Sequence, residues 1–400
     1  MVAWKVASTD VLTGQVLCDD LPLDIQSVSA NLNGTGTLTG ALDLNQAAAV
    51  NAPFLRALTC RRAILWALAD GWPVWAGIQL DWPQMSMAQG TLSVSAQTVD
   101  AVYGKRLISD TIEYQAVDLF TAFLDLAQYG LTKQSSYIAT GGVSPPATRP
   151  AGYLALMASQ GRIARVTLPS GITSGVPWTA SYTYSDLTQV SSAWSDMCAS
   201  GNLEYWFQPG FSAAGELEVS LRLGYTQLGR PLADSGIVLT YPGNALDYGW
   251  TVTGSQSSNY VWATAPPNGA ELTWLSVYPY GADLADLATY PVFESVVSWQ
   301  GSVVTEQSQV NAFAQGQVAL TTSGMTTPTV NVGGSGYPRL ADIQLGDSAM
   351  LAFTSPMHPA GQNGEPGLQQ EVRITGWTWY PSGPSQSEYI QLATSAVTAT

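Results

Sequence analysis

The sequence predicts a mainly β chain with α+β insertions, and three observations carry that expectation. Short apolar runs alternate with polar residues and stop at Gly, Pro, Asn or Asp, the grammar of strands and turns. Only three segments show a helical stripe. Two hairpins far apart in the chain also share one arrangement of residues. At 400 residues the chain is longer than one hydrophobic core usually serves, so several domains are expected.

Alternation is weak at the very start, then residues 26–31 and 35–42 carry spaced apolar side chains broken by glycines. Ala63-Ile-Leu-Trp-Ala-Leu-Ala, Asp70-Gly71 and Trp72-Pro-Val-Trp-Ala-Gly-Ile-Gln-Leu read as a hairpin, because Asp-Gly suits a type I′ turn with positive φ at both central residues. Thr91-Leu-Ser-Val-Ser-Ala follows with Leu92 and Val94 on one face. The same pattern returns at 203–207, 217–223, 237–240 and 250–252.

Residues 116–129 place Leu119, Phe120, Phe123, Leu124 and Ala127 on one helical stripe, with Gly130 as the stop. Residues 186–200 do the same with Leu187, Val190, Trp194, Met197 and Cys198, stopping at Gly201, and residues 306–320 carry Val310, Phe313 and Ala314. At helical spacing these aromatic and Met positions read as core. Gly/Pro clusters at 141–152, 265–269 and 354–367 mark loops, the first the strongest exposed excursion.

The internal echo sets Gly77-Ile-Gln-Leu-Asp-Trp-Pro83 and Gly90-Thr-Leu-Ser-Val-Ser-Ala96 beside Gly376-Trp-Thr-Trp-Tyr-Pro381 and Glu388-Tyr-Ile-Gln-Leu-Ala393. An apolar strand precedes each, at 63–68 and 348–353. The echo matches Gly77 to Gly376, and Leu92 and Val94 to Ile390 and Leu392, keeping the period of two that a barrel interior requires. A duplicated barrel is therefore expected. Residues 1–112 form the first, 113–205 an α+β insertion, and 206–300 a β-rich middle region open to division between the insertion and the second barrel. Residues 301–400 form that second barrel.

Charged residues make up 11% of the chain, against roughly 25% in an ordinary soluble domain. A surface that gives up charge for Ser, Thr, Gln, Gly and Ala suits faces covered by neighbours in an assembly. An extracellular β-protein shares that composition. The balance is 14 Lys and Arg against 29 Asp and Glu, a net −15. The densest cationic cluster, Arg56, Arg61 and Arg62, is too sparse for a phosphate-binding surface, which argues against direct nucleic-acid binding. An acidic wall past which DNA slides stays compatible.

Cys18, Cys60 and Cys198 are far apart and odd in number, so buried free thiols are expected rather than a disulfide scaffold or a zinc site. Met1-Val-Ala-Trp-Lys lacks the basic and apolar regions of a signal peptide, and the apolar run around 63–69 falls far short of the ~20 residues of a membrane span. Synthesis in a cytoplasm, with no cleaved export signal, is the expectation.

Catalytic chemistry finds little support. The single histidine, His358, lies in a Pro/Gly loop and is expected to be exposed there, with nothing to orient it for a Ser-His-Asp arrangement. Glu204, Glu216 and Glu218, near Tyr205 and Trp206, are the carboxylates a glycosidase would use, yet no motif singles out an acid and a nucleophile. Asp283 and Asp286 read as acids on the solvent face of a helical turn. Gly333-Gly-Ser-Gly336 lacks the Lys and helix of a phosphate cradle and reads as a turn. Among the 14 tryptophans, Trp72, Trp75, Trp82, Trp377 and Trp379 fall on or beside hairpin strands. Core and subunit packing is the favoured use, and a sugar platform the other. No catalytic, cofactor or metal residue is assigned.

Several stretches, in order and spacing, resemble the minor tail proteins of long-tailed actinobacteriophages that belong to the tail-hub, or baseplate-hub, family. They are the 63–78 hairpin, Thr91-Leu-Ser-Val-Ser-Ala, Gly224-Tyr-Thr-Gln-Leu-Gly-Arg230, Tyr241-Pro-Gly-Asn-Ala-Leu-Asp-Tyr-Gly-Trp250, Leu340-Ala-Asp-Ile-Gln-Leu-Gly-Asp347 and Arg373-Ile-Thr-Gly-Trp377. The resemblance implies two related β-barrels with inserted α+β domains and a homotrimeric ring at the distal tail tip. That ring would adapt a sixfold tube to threefold tip structures and surround the DNA path, without enzymatic activity. It also implies a place in the virion beside the distal tail protein ring, the tape measure protein, and the central tip or fibre and receptor-binding proteins. The reading set against it is a secreted carbohydrate-binding or weakly glycan-hydrolysing β-protein.

Overall fold

The run Ala63–Ala69 is apolar at every position, and the fold buries both of its faces. Ala63, Leu65, Ala67 and Ala69 enter one core, while Ile64, Trp66 and Leu68 enter a second. The computed structural model describes residues 2–44, 56–81, 85–86, 90–139, 152–253, 257–264, 280–288, 290–298, 314–315, 318, 325–334, 336–361, 364–382 and 387–396. Within them the chain is mainly β.

The N-terminal part holds β1 (Trp4–Asp10), β2 (Val16–Cys18), β3 (Leu23–Asn31), β4 (Thr37–Asp43), β5 (Ala63–Ala69), β6 (Trp72–Asp81), β7 (Met85–Ser86) and β8 (Thr91–Thr98). They pair antiparallel in the order β3-β4-β8-β6-β5-β1-β2, with β7 on β8. Asp70 and Gly71 turn β5 into β6 with φ of 50° and 84°, the expected type I′ signature. Burial alternates strictly along β8, with Leu92 and Val94 inward. In β1 the alternation is hidden because Ser8, Thr9 and Asp10 are themselves buried. Thr9 accepts a 2.9 Å hydrogen bond from the Trp66 indole, and Asp10 one of 2.7 Å from Arg62.

Residues 112–235 contain β9 (Ile112–Asp118), α1 (Leu119–Thr132), α2 (Tyr153–Gln160), β10 (Val166–Thr167), β11 (Pro177–Tyr182), α3 (Val190–Gly201), β12 (Leu203–Phe211), β13 (Leu217–Tyr225) and α4 (Leu232–Ser235). The helix expected over 116–129 starts later, because β9 runs to Asp118, whose carboxylate caps the Phe120 and Thr121 amides. It also runs past Gly130, which is no stop. A Cβ there would lie 3.0 Å from the Tyr103 ring, so this glycine serves close packing. The helix expected over 186–200 is α3. Val190, Trp194 and Met197 are buried as foreseen, while Leu187 lies outside it and is exposed. Of the segment expected helical over 306–320, residues 314–315 and 318 are helical and the rest lie outside the described residues, as do the loops at 141–151 and 265–269.

The C-terminal part holds β14 (Ile237–Tyr241), β15 (Ala245–Thr253), β16 (Tyr260–Thr264), β17 (Tyr280–Ala282), α5 (Leu284–Leu287), β18 (Glu294–Ser298), β19 (Met325–Gly333), β20 (Ser348–Phe353), β21 (Leu368–Tyr380) and β22 (Tyr389–Ala396). Five strands pair antiparallel as β15-β19-β22-β21-β20. Ranked by chain position that path reads first, second, fifth, fourth, third. The path β3-β4-β8-β6-β5 reads the same. The two parts share a topology, and β3 pairs with β21 over Val28–Asn31 and Gly376–Trp379 to make them one sheet.

Three expectations are corrected. Among the described residues the pairings close neither ring, so no closed barrel is seen where two were expected. The sixth strands differ, since β1 runs antiparallel to β5 but β14 parallel to β20. The residue match also slips. With Leu92 set on Ile390, Thr98 falls on Ala396; their partners across the ladder are Gly77 and Val372, so Gly77 corresponds to Val372 rather than to Gly376.

At the seam between the parts, Asp100 is buried behind β8 beside a void of about 10 Å³ bounded by Ala30, Asn31 and Tyr205. Its Oδ1 has no hydrogen-bond partner, and burial pushes its carboxyl from 3.8 up to about 6. A folded value above the unfolded one means that stability falls as pH rises from about 4 to about 6 and stays reduced above it. The loss amounts to about 3 kcal/mol. Asp100→Asn is expected to match the parent in urea unfolding near pH 3.5 and to exceed it by up to that amount at pH 7.5. A difference independent of pH would remove Asp100 as the titrating group.

Candidate functional site

Three of the segments that carry the sequence resemblance, far apart in the chain, meet at one junction. The 13-residue strand β21 brings Arg373, 5% exposed, to the start of β12, where Glu204 waits. The guanidinium donates two bonds to that carboxylate, Nη1 to Oε1 at 2.7 Å and Nη2 to Oε2 at 2.5 Å. This fork matches the planar geometry of both groups. Glu204 also accepts the Leu228 amide at 2.6 Å, and Arg373 donates to the Leu228 carbonyl at 2.9 Å.

One residue further, Gly229 lies backbone to backbone on Gly346. A Cβ on Gly229 would come 2.1 Å from the Gly346 carbonyl carbon, and both residues have φ above +90°. Only glycine fits either place. Asp347, fully buried, then accepts from the Arg230 amide at 2.8 Å, from its Nη2 at 2.6 Å and from the Gln344 amide at 3.0 Å. Arg230 returns a bond to the Asp342 carbonyl at 2.6 Å. Two carboxylates, Asp347 buried and Glu204 nearly so, and two arginines thus hold the 227–230 crossover against the 342–347 turn.

β12 binds the other part as well. Asn33 accepts the Tyr205 amide at 2.7 Å and its own amide donates to the Tyr205 carbonyl at 3.1 Å. Trp206 enters the first core, while Tyr205 and Phe207 enter the second. Glu204 to Phe207 are therefore where both β units and the insertion are held together. Sequence reading picked Glu204 as a candidate acid and Arg373 only as part of a motif. Their separation of 169 positions along the chain conceals the pairing.

The other candidates are dispersed. Glu218 lies across from Gly210, six residues along β12 from Glu204, which places it about 20 Å away at strand rise. Glu216 pairs with Arg165 beyond that end. Neither forms with Glu204 the pair, roughly 5–10 Å apart, that glycoside hydrolysis needs. His358 is half-buried against the Tyr248 ring at 6.3 Å rather than exposed in its loop. Asp283 starts the α5 turn by accepting the Leu287 amide on its carbonyl. Gly333 and Gly336 form a turn, with the Gly336 amide 3.0 Å from the Gly333 carbonyl. Trp75, Trp377 and Trp379 are buried, and Trp379 lies 4.4 Å from Trp4. Trp82 lies outside the described residues. Trp72 is not in the core of this chain: it is 60% exposed beside Phe211 at a hairpin end. Cys18, Cys60 and Cys198 are free thiols but half-buried, and burial pushes the Cys198 thiol up to about 12. Among the described residues no helix is long and apolar enough to cross a membrane.

No family model and no curated protein matches the sequence. Solved structures match its fold from end to end. A tail protein of Neisseria meningitidis MC58 aligns with a TM-score of 0.60 at 12% identity, covering 98% of this chain and 96% of that one. The 43 kDa tail protein of prophage MuSo2 from Shewanella oneidensis gives 0.58 at 11%, covering 98% of each. Prophage tail protein gp18 of Listeria monocytogenes EGD-e gives 0.51 at 9%, covering 97% and 94%. At such identities the likeness is one of fold.

Removing one partner of a buried ion pair strands the other charge. Glu204→Gln is expected to lower unfolding free energy by on the order of 3 kcal/mol. Replacing both groups, Glu204→Leu with Arg373→Met, should recover at least half of that in the same denaturation measurement. A loss below roughly 1 kcal/mol, the scale of an exposed pair, would show that the junction does not depend on this contact.

Proposed function

We propose that this chain is a structural, non-enzymatic subunit of the tail tip of a long-tailed actinobacteriophage, a hub whose three copies form a ring. The observation that carries the reading is a strand order repeated in both parts of a chain whose fold is shared end to end with phage tail proteins. Two similar β units per chain let a threefold ring present six similar units to a sixfold tube, and closed rings reuse one interface type. Residues 1–112 and the C-terminal strands supply those units, and 113–205 the outer insertion.

In this place the ring contacts the distal tail protein ring, the tape measure protein, and the central tip or fibre and receptor-binding proteins. Genome DNA passes through it. A net charge of −15 per chain repels the phosphate backbone instead of retaining it. The junction fits a structural role, because its arginines and carboxylates satisfy one another and fix how the β units sit.

Antibody labelling of intact particles, followed by imaging of the labelled tails, tests the placement. Label confined to the tail end distal to the head, with three chains per particle by quantitative mass spectrometry, is expected. Absence from particles, or label along the whole tube, would overturn the hub. Release of fragments from peptidoglycan by the purified chain would overturn its non-enzymatic part.

A further inference from the structure

Helix α1 buries one stripe and lends its neighbour to a cleft. Leu119, Phe123, Leu126 and Ala127 fill the second core. Thr121, Leu124, Asp125 and Gln128 follow the i, i+3, i+4, i+7 spacing of one helix face and line a cleft of about 570 Å³. That volume lies within the ~300–1,000 Å³ of small-ligand sites. Leu124, expected on the core stripe, is half-buried and belongs to this wall instead.

The walls are fixed without a ligand. The Ser135 and Tyr114 hydroxyls both donate to Asp125 Oδ2, at 2.6 and 2.8 Å. Ser135 Oγ also accepts the Tyr137 amide at 2.9 Å, which sets the 136–137 wall. Asp118 caps α1 with one oxygen, and with the other it accepts the Ser174 and Gly175 amides at 2.9 and 2.8 Å. The loop 168–173, the opposite wall, is thereby tied to the helix.

The lining selects a ligand class. Leu124, Tyr137, Leu168 and Ile172 rest on the second core and give the cleft an apolar floor, with the Tyr137 ring backed by Tyr114 at 5.0 Å. Beside that floor, Asp125 Oδ1 and the Ser136 hydroxyl accept or donate no hydrogen bond among the described residues. Gln128 donates only a 3.5 Å bond to Thr132. Asp125 is the one charged side chain among the described lining residues, so an anion finds no counter-charge here. A wholly apolar ligand would cover these polar groups without pairing them. An uncharged ring rich in hydroxyls serves both parts, with its C–H surface on Tyr137 and its hydroxyls on Asp125 and Gln128.

We propose that this cleft binds a neutral saccharide. A single carboxylate does not supply both the acid and the nucleophile of glycoside hydrolysis, so the sugar is held and not cleaved. Nothing in the cleft depends on the ring reading above.

Screening the full chain on an array of neutral and acidic oligosaccharides, then titrating the strongest neutral one by calorimetry, tests this. Binding with Kd on the order of 1 mM or tighter is expected. Asp125→Asn should weaken it by at least about tenfold, through loss of the charge-assisted bond. Gln128→Trp changes an exposed side chain, so it should keep the parent's circular dichroism spectrum while filling the cleft and abolishing binding. It decides the matter alone if Asp125→Asn fails to fold. Unchanged affinity in either folded variant would overturn the site. No neutral sugar bound at millimolar concentration, or a preference for acidic sugars or for a lysine-rich peptide, would overturn the ligand class. Particle labelling judges the tail-tip reading separately.

Discussion

Strand β5 has no face to give to water. Its odd positions fill the core between the two β units, its even positions fill the core under the insertion, and β1 and β6 take its edges. Each of Ile64, Trp66 and Leu68 would lose about 1.5–3 kcal/mol of burial if the second core were absent. The N-terminal sheet and the insertion are therefore one cooperative body. Helices α1 and α3 are part of what keeps β5 dry, through Phe123 and Trp194, whose rings stack at 4.5 Å in the second core.

From that wall the remaining arrangement follows through β12. Its consecutive residues Glu204 to Phe207 reach the C-terminal unit, the N-terminal unit and both cores in turn. Apolar contact would tolerate some sliding of β12 over its neighbours. The Arg373–Glu204 fork, the Asn33–Tyr205 exchange and the Gly229–Gly346 approach do not, because each fixes direction or distance. Buried charge here specifies position, which suits a part whose use lies in holding similar units at set places.

The distribution of charge is as uneven as that of apolar surface. Cations are concentrated in the first part of the chain, and from position 230 onward Arg230, Arg339 and Arg373 are the only Lys or Arg residues. Two of these are held inside the junction. The C-terminal part thus meets its surroundings as an acidic, aromatic surface. Arg56, Arg61 and Arg62 belong to the other β unit, an asymmetry within a duplicated topology.

The mainly β class, the 63–78 hairpin with its Asp70-Gly71 turn, the strand-level echo and the inward positions of Leu92, Val94, Ile390 and Leu392 were legible in the sequence. These features depend on periods and turn residues that act within a few positions of one another. The helix limits were misjudged where a tertiary contact took over, as at Gly130, placed against Tyr103, and at Asp118, which serves β9 and caps α1. The residue match of Gly77 to Gly376 failed because ladder register depends on bulges that composition does not reveal. Glu204 appeared as an acid in search of a partner. Its partner is Arg373, and nothing local ties the two together. Local chemistry determined the elements of this protein. Tertiary structure alone decided which buried charges meet and how the strands of the two units join, because each depends on groups brought together from remote parts of the chain.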